Sequence, residues 1–377
     1  MRGDAVRPIV IAAGGTGGHF FPAEALASEL IRRGHRVALM TDSRSGGERS
    51  AVFAGREVFV LPGAGIAGRG LVRGAKATIA LARGTLEARR VLARLNPAVL
   101  IGFGGYPSVP PVLAAGLMRR RKPTIILHEQ NAVLGRANRM LARFADWLAL
   151  GVAQTRALPS RPPTRATGNP VRPEIAALAG STYVPPEPGA PLHVLVTGGS
   201  QGARIFSNAL PAALGLLPPA LRGRLRMTQQ CRPEDLERVR ATYAKLGIPA
   251  ELSPFFADMA QRLASTDLVI ARAGASTVAE LAIAGRPALL VPFPHAIDNH
   301  QLDNARAIDA LVIEQSDFES RPELLAEKLL PRLQSPDWLV IAAHAIAQHA
   351  IPDAAARLAD LVETALTKEV MAKEVTA

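Results

Sequence analysis

The sequence predicts an α/β protein built from two doubly wound, parallel-sheet domains facing each other across a cleft. Three observations carry that expectation. Short, nearly continuous apolar runs alternate with longer amphipathic stretches, the pattern of parallel strands covered by helices on both faces. Glycine clusters follow directly on strand-like runs, at Gly14–His19 and again, in a near-copy, at Gly198–Ala203. Residues 154–191, between the two halves, are rich in Pro, Gly and Thr and lack any period, as a connection does. A chain of 377 residues also suits two cores better than one.

Taken in order, Ile9–Ala13 is the first strand, and Pro22–Arg33 is a helix ended by Gly34. Strands follow at Arg36–Thr41 and Glu57–Leu61, then a long helix over Ala75–Leu95 that stops at Asn96-Pro97. Ala98–Phe103 is a strand that exits into Gly104-Gly105-Tyr106-Pro107-Ser108 and a helix reaching Arg119. Thr124–His128 and Asp146–Val152 complete the first set. The pattern restarts with strand His193–Val196 and helix Ala203–Leu217, followed by strands at Arg224–Gln229, Glu251–Phe255, Asp267–Ala271 and Ala288–Pro292. The domains are placed at 1–165 and 192–345, with a linker over 166–191. A C-terminal helix over 346–367 packs back on the first domain, and 368–377 is a polar tail.

Composition narrows the function. The 48% hydrophobic fraction is that of a globular chain, and the single Cys231 rules out a disulfide framework and suits a reducing compartment. No Cys pair or HExxH spacing suggests built-in zinc. The N-terminal apolar run is too short for a signal peptide, and nothing approaches the ~18 apolar residues of a membrane span. The charge is uneven. Residues 61–170 hold 17 Lys/Arg against Glu87, Glu129 and Asp146, a surplus of 14 that exceeds the net +12 of the whole chain. Arg69, Arg73, Lys76 and Arg83 interleave there with Leu71, Val72, Ile79 and Leu81, while Leu117-Met118 precede Arg119–Lys122. Apolar residues flanked by cations fit a surface lying on anionic lipid. Nucleic acid is the competing partner, but aromatics are only 4% and no nucleic-acid motif occurs.

Several strand exits carry groups capable of chemistry. The loop Gly14–His19 can cradle a phosphate, since glycine admits positive φ and the following helix N-terminus favours an anion. It fails as a dinucleotide fingerprint, because Phe20 stands where the third glycine belongs. His19 is the titratable group of that loop and a candidate general base; the competing reading makes it a helix cap. The second loop repeats the logic with the Ser200 hydroxyl added. Gly102–Ser108 presents Tyr106 as an exposed aromatic, and His128-Glu129-Gln130-Asn131 sets four polar side chains at a strand end. In Ala273–Glu280, Ser276 reads as an N-cap with Glu280 one turn later, either a capping pair or a helix N-terminus facing a diphosphate. His295, Asp298 and His300 could be imagined as metal ligands, but no regular element fixes their spacing.

These motifs, with Thr167-Gly168-Asn169-Pro170-Val171-Arg172 and Pro292–Gln301, occur in order across most of the chain. Together they closely resemble the bacterial peptidoglycan N-acetylglucosaminyltransferases that convert lipid I to lipid II. The resemblance implies the GT-B fold of two Rossmann-like domains. It further implies that UDP-N-acetylglucosamine is held mainly by the second domain, with Ser200 on the diphosphate and Phe256 holding the uracil through its backbone. Ala275, Ser276, Thr277, Val278 and Ala279 would supply the helix-terminal segment, Glu280 would meet the ribose, and Gln301 (or its neighbour His300) the donor sugar. Thr16, Gly17, Gly18, Asn131 and Arg172 would complete the donor site. Gly14, Gly15, Gly104, Gly105, Tyr106 and His128 fall on the acceptor side. The implied partners are UDP-N-acetylglucosamine, lipid I, an anionic membrane surface at the cytoplasmic face of the inner membrane, and the division or elongation machinery. No resident metal or cofactor is expected. The rivals are another enzyme of the same fold, such as a UDP-sugar epimerase that needs no acceptor, and a non-catalytic basic binding module.

Overall fold

The computed structural model describes residues 7–15, 17–43, 50–62, 71–199 and 203–374. Thr16, Ser200 and Arg69 lie outside the described residues, as do the side chains of Arg73 and Lys76. The chain divides into two compact units, one of residues 1–172 with 353–377 and one of residues 173–352.

In the first unit, β1 (Ile9–Ala12), β2 (Val37–Thr41), β3 (Glu57–Val60), β4 (Val99–Gly102), β5 (Thr124–Glu129), β6 (Trp147–Leu150) and β7 (Thr164–Ala166) form one parallel sheet in the order β3-β2-β1-β4-β5-β6-β7. Alternate residues of β1 serve two cores. Ile9 and Ile11 pack with α1 (Gly17–Arg32), while Val10 and Ala12 pack with α2 (Leu71–Leu95), α3 (Gly105–Gly116) and α4 (Arg136–Leu141). That two-sided burial is why the strands read as unbroken apolar runs. β1 pairs with β2 on one side and β4 on the other, Ile9 facing both Val37 and Val99, so the winding reverses between β1 and β4. Ligands of open parallel sheets sit at the carboxyl ends of the strands flanking such a reversal. The exits of β1 and β4 are Gly14–His19 and Gly104–Ser108.

The second unit repeats the plan. Its helices are α5 (Pro173–Ala176), α6 (Arg204–Gly215), α7 (Pro219–Arg222), α8 (Leu236–Lys245), α9 (Met259–Ser265), α10 (Ala275–Ala284), α11 (His300–Arg306), α12 (Gln315–Ser320), α13 (Pro322–Leu333) and α14 (Pro336–Ala347). Its strands β8 (Leu192–Thr197), β9 (Leu225–Gln230), β10 (Ala250–Ser253), β11 (Leu268–Ala271), β12 (Ala288–Leu290) and β13 (Leu311–Val312) run in the order β10-β9-β8-β11-β12-β13. The reversal falls between β8 and β11, whose exits are the second glycine loop and the start of α10.

The last helix, α15 (Ala354–Glu374), returns to the first unit. Leu358, Ala359, Val362 and Ala365 pack into the α1 core with Leu26 and Leu30. Arg33 reaches Asp360 and Glu363, both at 2.7 Å, and His35 bonds Glu363 at 2.8 Å.

Several expectations need correction. α1 begins at Gly17, not Pro22, so His19 lies in its first turn; the ring of Phe21 covers Gly17 so closely that a Cβ there would come within 2.7 Å of it. α2 begins at Leu71 rather than Ala75. β7 and β13 were not expected: one is three exposed residues and the other only two, too short to show a period. The final helix starts at Ala354, eight residues after the expected 346.

Candidate active site

In the first unit the site grows from the β1 and β4 exits. Gly14 has no room for a side chain, since a Cβ would meet Asp42 Oδ1 and Thr41 Oγ1 at 2.9 Å and Pro107 at 3.0 Å. Gly15 takes φ of 80° and donates its amide to Asp42 Oδ1 at 3.2 Å, so that amide is committed within the fold. On the other exit, Gly104 and Gly105 have φ of 75° and 66°, a left-handed pair that glycine alone adopts readily. Ser108 Oγ bonds both Ala12 O and Gly104 O at 2.8 Å, tying α3 to the end of β1. A Cβ on Gly105 would stand 3.1 Å from Cδ2 and 3.3 Å from Nε2 of His19, so the bare backbone here makes space for that ring.

The end of β5 completes the cluster. His128, Glu129 and Gln130 are all buried. His19 Nδ1 lies 2.9 Å from Gln130 Oε1, and Gln130 Nε2 lies 3.0 Å from His128 Nδ1. His128 Nε2 in turn meets Gly168 O at 3.1 Å. Burial pushes the His128 imidazole down to about 4, against the opposing pulls of the Gly168 carbonyl and the Glu129 charge, so it is neutral at physiological pH. Glu129 accepts from the Asn131 and Gly135 amides and from the Asn131 and Asn138 side chains, all at 2.9–3.0 Å, which shapes the turn after β5. Arg172 lies over the Phe21 ring at 5.0 Å and so belongs beside the first turn of α1.

The buried polar atoms of this unit that have no hydrogen-bond partner among the described residues include the Tyr106 hydroxyl and both ends of the Asn169 amide. Orphaned buried polar atoms are costly, and here they leave unmet donors and acceptors near the His128 cluster. Tyr106 is therefore not the exposed aromatic the sequence suggested: it is half-buried, with its hydroxyl enclosed. The sequence assigned no individual role to Asn169, Asp42 or Gln130; Asp42 carries no cue beyond its residue type, Asn169 only its place in the Thr167–Arg172 motif, and Gln130 only its place in a polar run at a strand end.

In the second unit, Gln230 Oε1 accepts from Thr197 Oγ1 and the Gly198 amide, both at 3.1 Å, and its Nε2 donates to Pro254 O at 3.1 Å. One buried glutamine thus pins the second glycine loop to the segment leading to Phe256. Phe256 is buried, with the Arg262 guanidinium 4.1 Å above its ring, itself held by Asp258 and Glu251. α10 starts at Ala275, capped by extended Gly274 with no side-chain bond, which corrects the reading of Ser276 as N-cap. Ser276 is instead the second residue of the helix, among the amides that an α-helix leaves without intrahelical carbonyls. Ala275–Glu280 therefore form the first one and a half turns, with Thr277, Val278 and Ala279 between Ser276 and Glu280.

Arg272, just before that helix, is buried and donates to Val291 O, Pro292 O and Gln315 Oε1 at 3.0, 3.1 and 2.6 Å. Burial pushes its guanidinium down to about 10. It fixes the start of the loop whose far end carries Gln301, and Gln301 Oε1 closes that loop by accepting from the Phe293 amide at 2.9 Å. Asp298 and Asn299 turn the chain through left-handed φ of 53° and 56° before α11 begins at His300. Among the described residues no group of three or more His, Cys, Asp or Glu is placed to hold a metal ion.

Comparison with known proteins places this geometry. Residues 9–149 match the glycosyltransferase family 28 N-terminal domain, and residues 193–358 match the family's C-terminal domain. A UDP-N-acetylglucosamine--N-acetylmuramyl-(pentapeptide) pyrophosphoryl-undecaprenol N-acetylglucosamine transferase from Granulibacter bethesdensis is 58% identical over 369 residues, covering 97% of this chain and 95% of its own. The transferase of the same name from Acidiphilium cryptum is 52% identical over 374 residues, 98% of this chain and all of its own. Among solved structures, MurG of Acinetobacter baumannii superposes with a TM-score of 0.75 at 31% identity, over 95% of this chain and 99% of that one. With two doubly wound sheets and both family domains in order, the chain belongs to glycosyltransferase family 28 and, within it, to the family of these N-acetylglucosamine transferases.

Proposed function

We propose that this enzyme transfers N-acetylglucosamine from UDP-N-acetylglucosamine to the 4-hydroxyl of the N-acetylmuramyl group of lipid I, giving lipid II in peptidoglycan synthesis. The observation that carries the proposal is the 58% identity, over nearly the whole chain, to a relative named for that reaction. Donor binding falls to the second unit. The α10 terminus meets the diphosphate, and helix amides there stabilise the charge that develops as UDP departs. Phe256 holds the uracil edge, Glu280 the ribose and Gln301 the sugar, with Ser200, Thr16, Gly17, Gly18, Asn131 and Arg172 completing the set. Acceptor and base fall to the first unit, where His19 takes the proton of the attacking hydroxyl; Gly14, Gly15, Gly104, Gly105, Tyr106 and His128 line its side. A single displacement at the anomeric carbon inverts it and yields a β linkage, through the oxocarbenium-like state of glycosyl chemistry. The sugar nucleotide is a substrate, and this chemistry needs no redox or electron-sink cofactor.

The enzyme works as a peripheral protein at the cytoplasmic face of the inner membrane, in reach of the division or elongation machinery and independently of nucleic acid. What supports the membrane reading is a stripe on α2, where Ile79, Arg83, Leu86 and Arg90 recur at helical spacing on the exposed face. Exposed Leu117 before Arg119–Lys122, and exposed Met140 on α4, add to it from helices that cover the same sheet face. Leu81 and Met118, which the sequence assigned to this patch, pack against the core instead. Among the described residues no helix is long and apolar enough to cross a membrane.

The test is transfer of radiolabel from UDP-N-acetylglucosamine to a lipid I analogue, with and without EDTA. Chelator-resistant transfer is expected, and His19→Ala should keep donor affinity while losing transfer. Near-normal turnover in that variant removes His19 as the base, and label released without acceptor points to the epimerase-like rival. For the membrane reading, the Ile79→Glu/Leu86→Glu double variant should release the protein from anionic vesicles; unaltered binding refutes that surface.

A further inference from the structure

The geometry points to Gln130 as a positioning residue that locks His19 in the tautomer protonated at Nδ1, leaving Nε2 as the atom that receives the acceptor's proton. This rests on the reading of His19 as general base. Its warrant is the unlike chemistry of the two ends of an amide. Gln130 Nε2 lies 3.0 Å from Phe103 O and 3.1 Å from His128 O. Carbonyl oxygens only accept, so the end facing them must be the NH2. The same nitrogen is 3.0 Å from His128 Nδ1. His128 Nε2 faces the Gly168 carbonyl at 3.1 Å and must carry its proton there, which leaves Nδ1 with the lone pair that Gln130 donates into. Both constraints set the amide the same way round.

The oxygen end is then fixed opposite His19. Oε1 stands 2.9 Å from Nδ1 and can only accept, so Nδ1 holds the proton. A neutral imidazole has one, so Nε2 is left bare. An unconstrained histidine prefers the opposite arrangement, and which nitrogen is protonated follows from the bond the other makes. Gln130 and His128 are both buried, so no water competes to rotate the amide. Gly105 adds the steric half of the device: lacking a Cβ, it leaves the Nε2 edge of the ring uncovered on that side. In the transfer step the acceptor O–H bond breaks and its proton goes to Nε2. The oxygen bonds the anomeric carbon, and the carbon–oxygen bond to UDP breaks with its electron pair leaving on the phosphate. The imidazolium so formed keeps its Nδ1–H bond to Oε1, now charge-assisted and stronger.

The decisive measurement is the tautomer itself. Full-length protein labelled with 15N at its eight histidines is recorded by long-range 1H–15N correlation at about pH 8, where an ordinary imidazole is neutral. The His19 signals are assigned by their loss in His19→Asn. Wild type should show a protonated-type Nδ1 and a bare-type Nε2 at His19. Gln130→Met, close in shape but with only a weakly accepting thioether in place of the amide oxygen, should shift the pattern toward Nε2–H. Its kcat should fall roughly tenfold or more, part of the ~10²–10⁴ a general base supplies, with the KM for UDP-N-acetylglucosamine unchanged. A wild-type His19 protonated at Nε2 overturns the inference whatever the variants do, as does a pattern unmoved in Gln130→Met. Full transfer by His19→Ala would instead overturn the base reading and leave the tautomer result standing.

Discussion

Acidification should destabilise the first unit well before its carboxylates begin to protonate, because His128 cannot take up a proton where it sits. Its native value is pushed down to about 4 by burial, whereas the unfolded chain titrates near 6.5. Above pH 6.5 the side chain is neutral in both states and contributes no slope. Between about 6.5 and 4 the unfolded state binds one proton more than the native state, so stability falls as pH falls, and below about 4 the loss is complete. The gap is worth about 3 kcal/mol, a sizeable share of the ~5–15 kcal/mol that holds a domain together. Glu29, pulled down to about 2 by Arg32, starts to cost stability only below its ordinary 4.5, so the upper window belongs to His128. Urea unfolding at stepped pH reads this directly. Two units need separate reporters, and the two tryptophans provide them, since Trp147 lies in the first unit and Trp338 in the second. In a Trp338→Phe background, Trp147 fluorescence should show the unfolding free energy dropping by about 3 kcal/mol from pH 7 toward 4. Adding His128→Gln, whose amide can still donate to the Gly168 carbonyl, should flatten that slope above pH 4.5. A flat wild-type profile, or an equal slope in the variant, would refute the buried-neutral account of His128.

Two further outcomes follow from the same geometry. Glu280→Ala should raise the donor KM roughly 10- to 100-fold, the loss of a hydrogen bond to a charged group, with a smaller effect on kcat at saturating donor; an unchanged KM removes Glu280 from the donor site. Gly105→Ala should cost about 1–2 kcal/mol of stability from its φ of 66° and also lower kcat, because its Cβ would press on His19 at 3.1–3.3 Å. Gly34→Ala is the control, with φ of 86° and nothing within 4 Å. It should lose stability alike while keeping kcat, and equal kcat losses in both would show that strain alone was at work.

The fold was most legible where burial is two-sided, although the half-buried β3 and β10 were read as well, and it was illegible where strands are very short. Runs such as Ile9–Ala12 and Leu268–Ala271 are wholly buried, so composition alone marks them. Thr164–Ala166 is exposed throughout and Leu311–Val312 spans two residues, so neither leaves a trace in hydropathy. The helix start at Gly17 was missed for a different reason. Two glycines are poor helix formers and Pro22 is a natural first-turn residue, so local preference favoured the later start; the ring of Phe21 against Gly17 shows what tertiary packing adds.

The site divides along the same line. Residues that do chemistry announce themselves by type and place: an imidazole or a glycine cluster at a strand exit is visible because parallel topology gathers strand exits at one edge. Residues that orient them do not. Gln130 titrates nothing and binds no metal, and its partners lie 27 positions away at Phe103 and 111 away at His19. Gln230 is the same kind of residue in the second unit, joining Thr197 to Pro254 across β9. In each unit a buried glutamine at a strand end uses both faces of its amide to fix a neighbour, oxygen toward a glycine-rich exit and nitrogen toward a backbone carbonyl. A carboxylate there would set two acceptors against carbonyls, and an apolar side chain would leave the loop free to turn. The glutamines are thus the positions where the two glycine-rich exits become rigid enough to aim what they carry, the proposed base in one unit and the proposed phosphate-facing loop in the other.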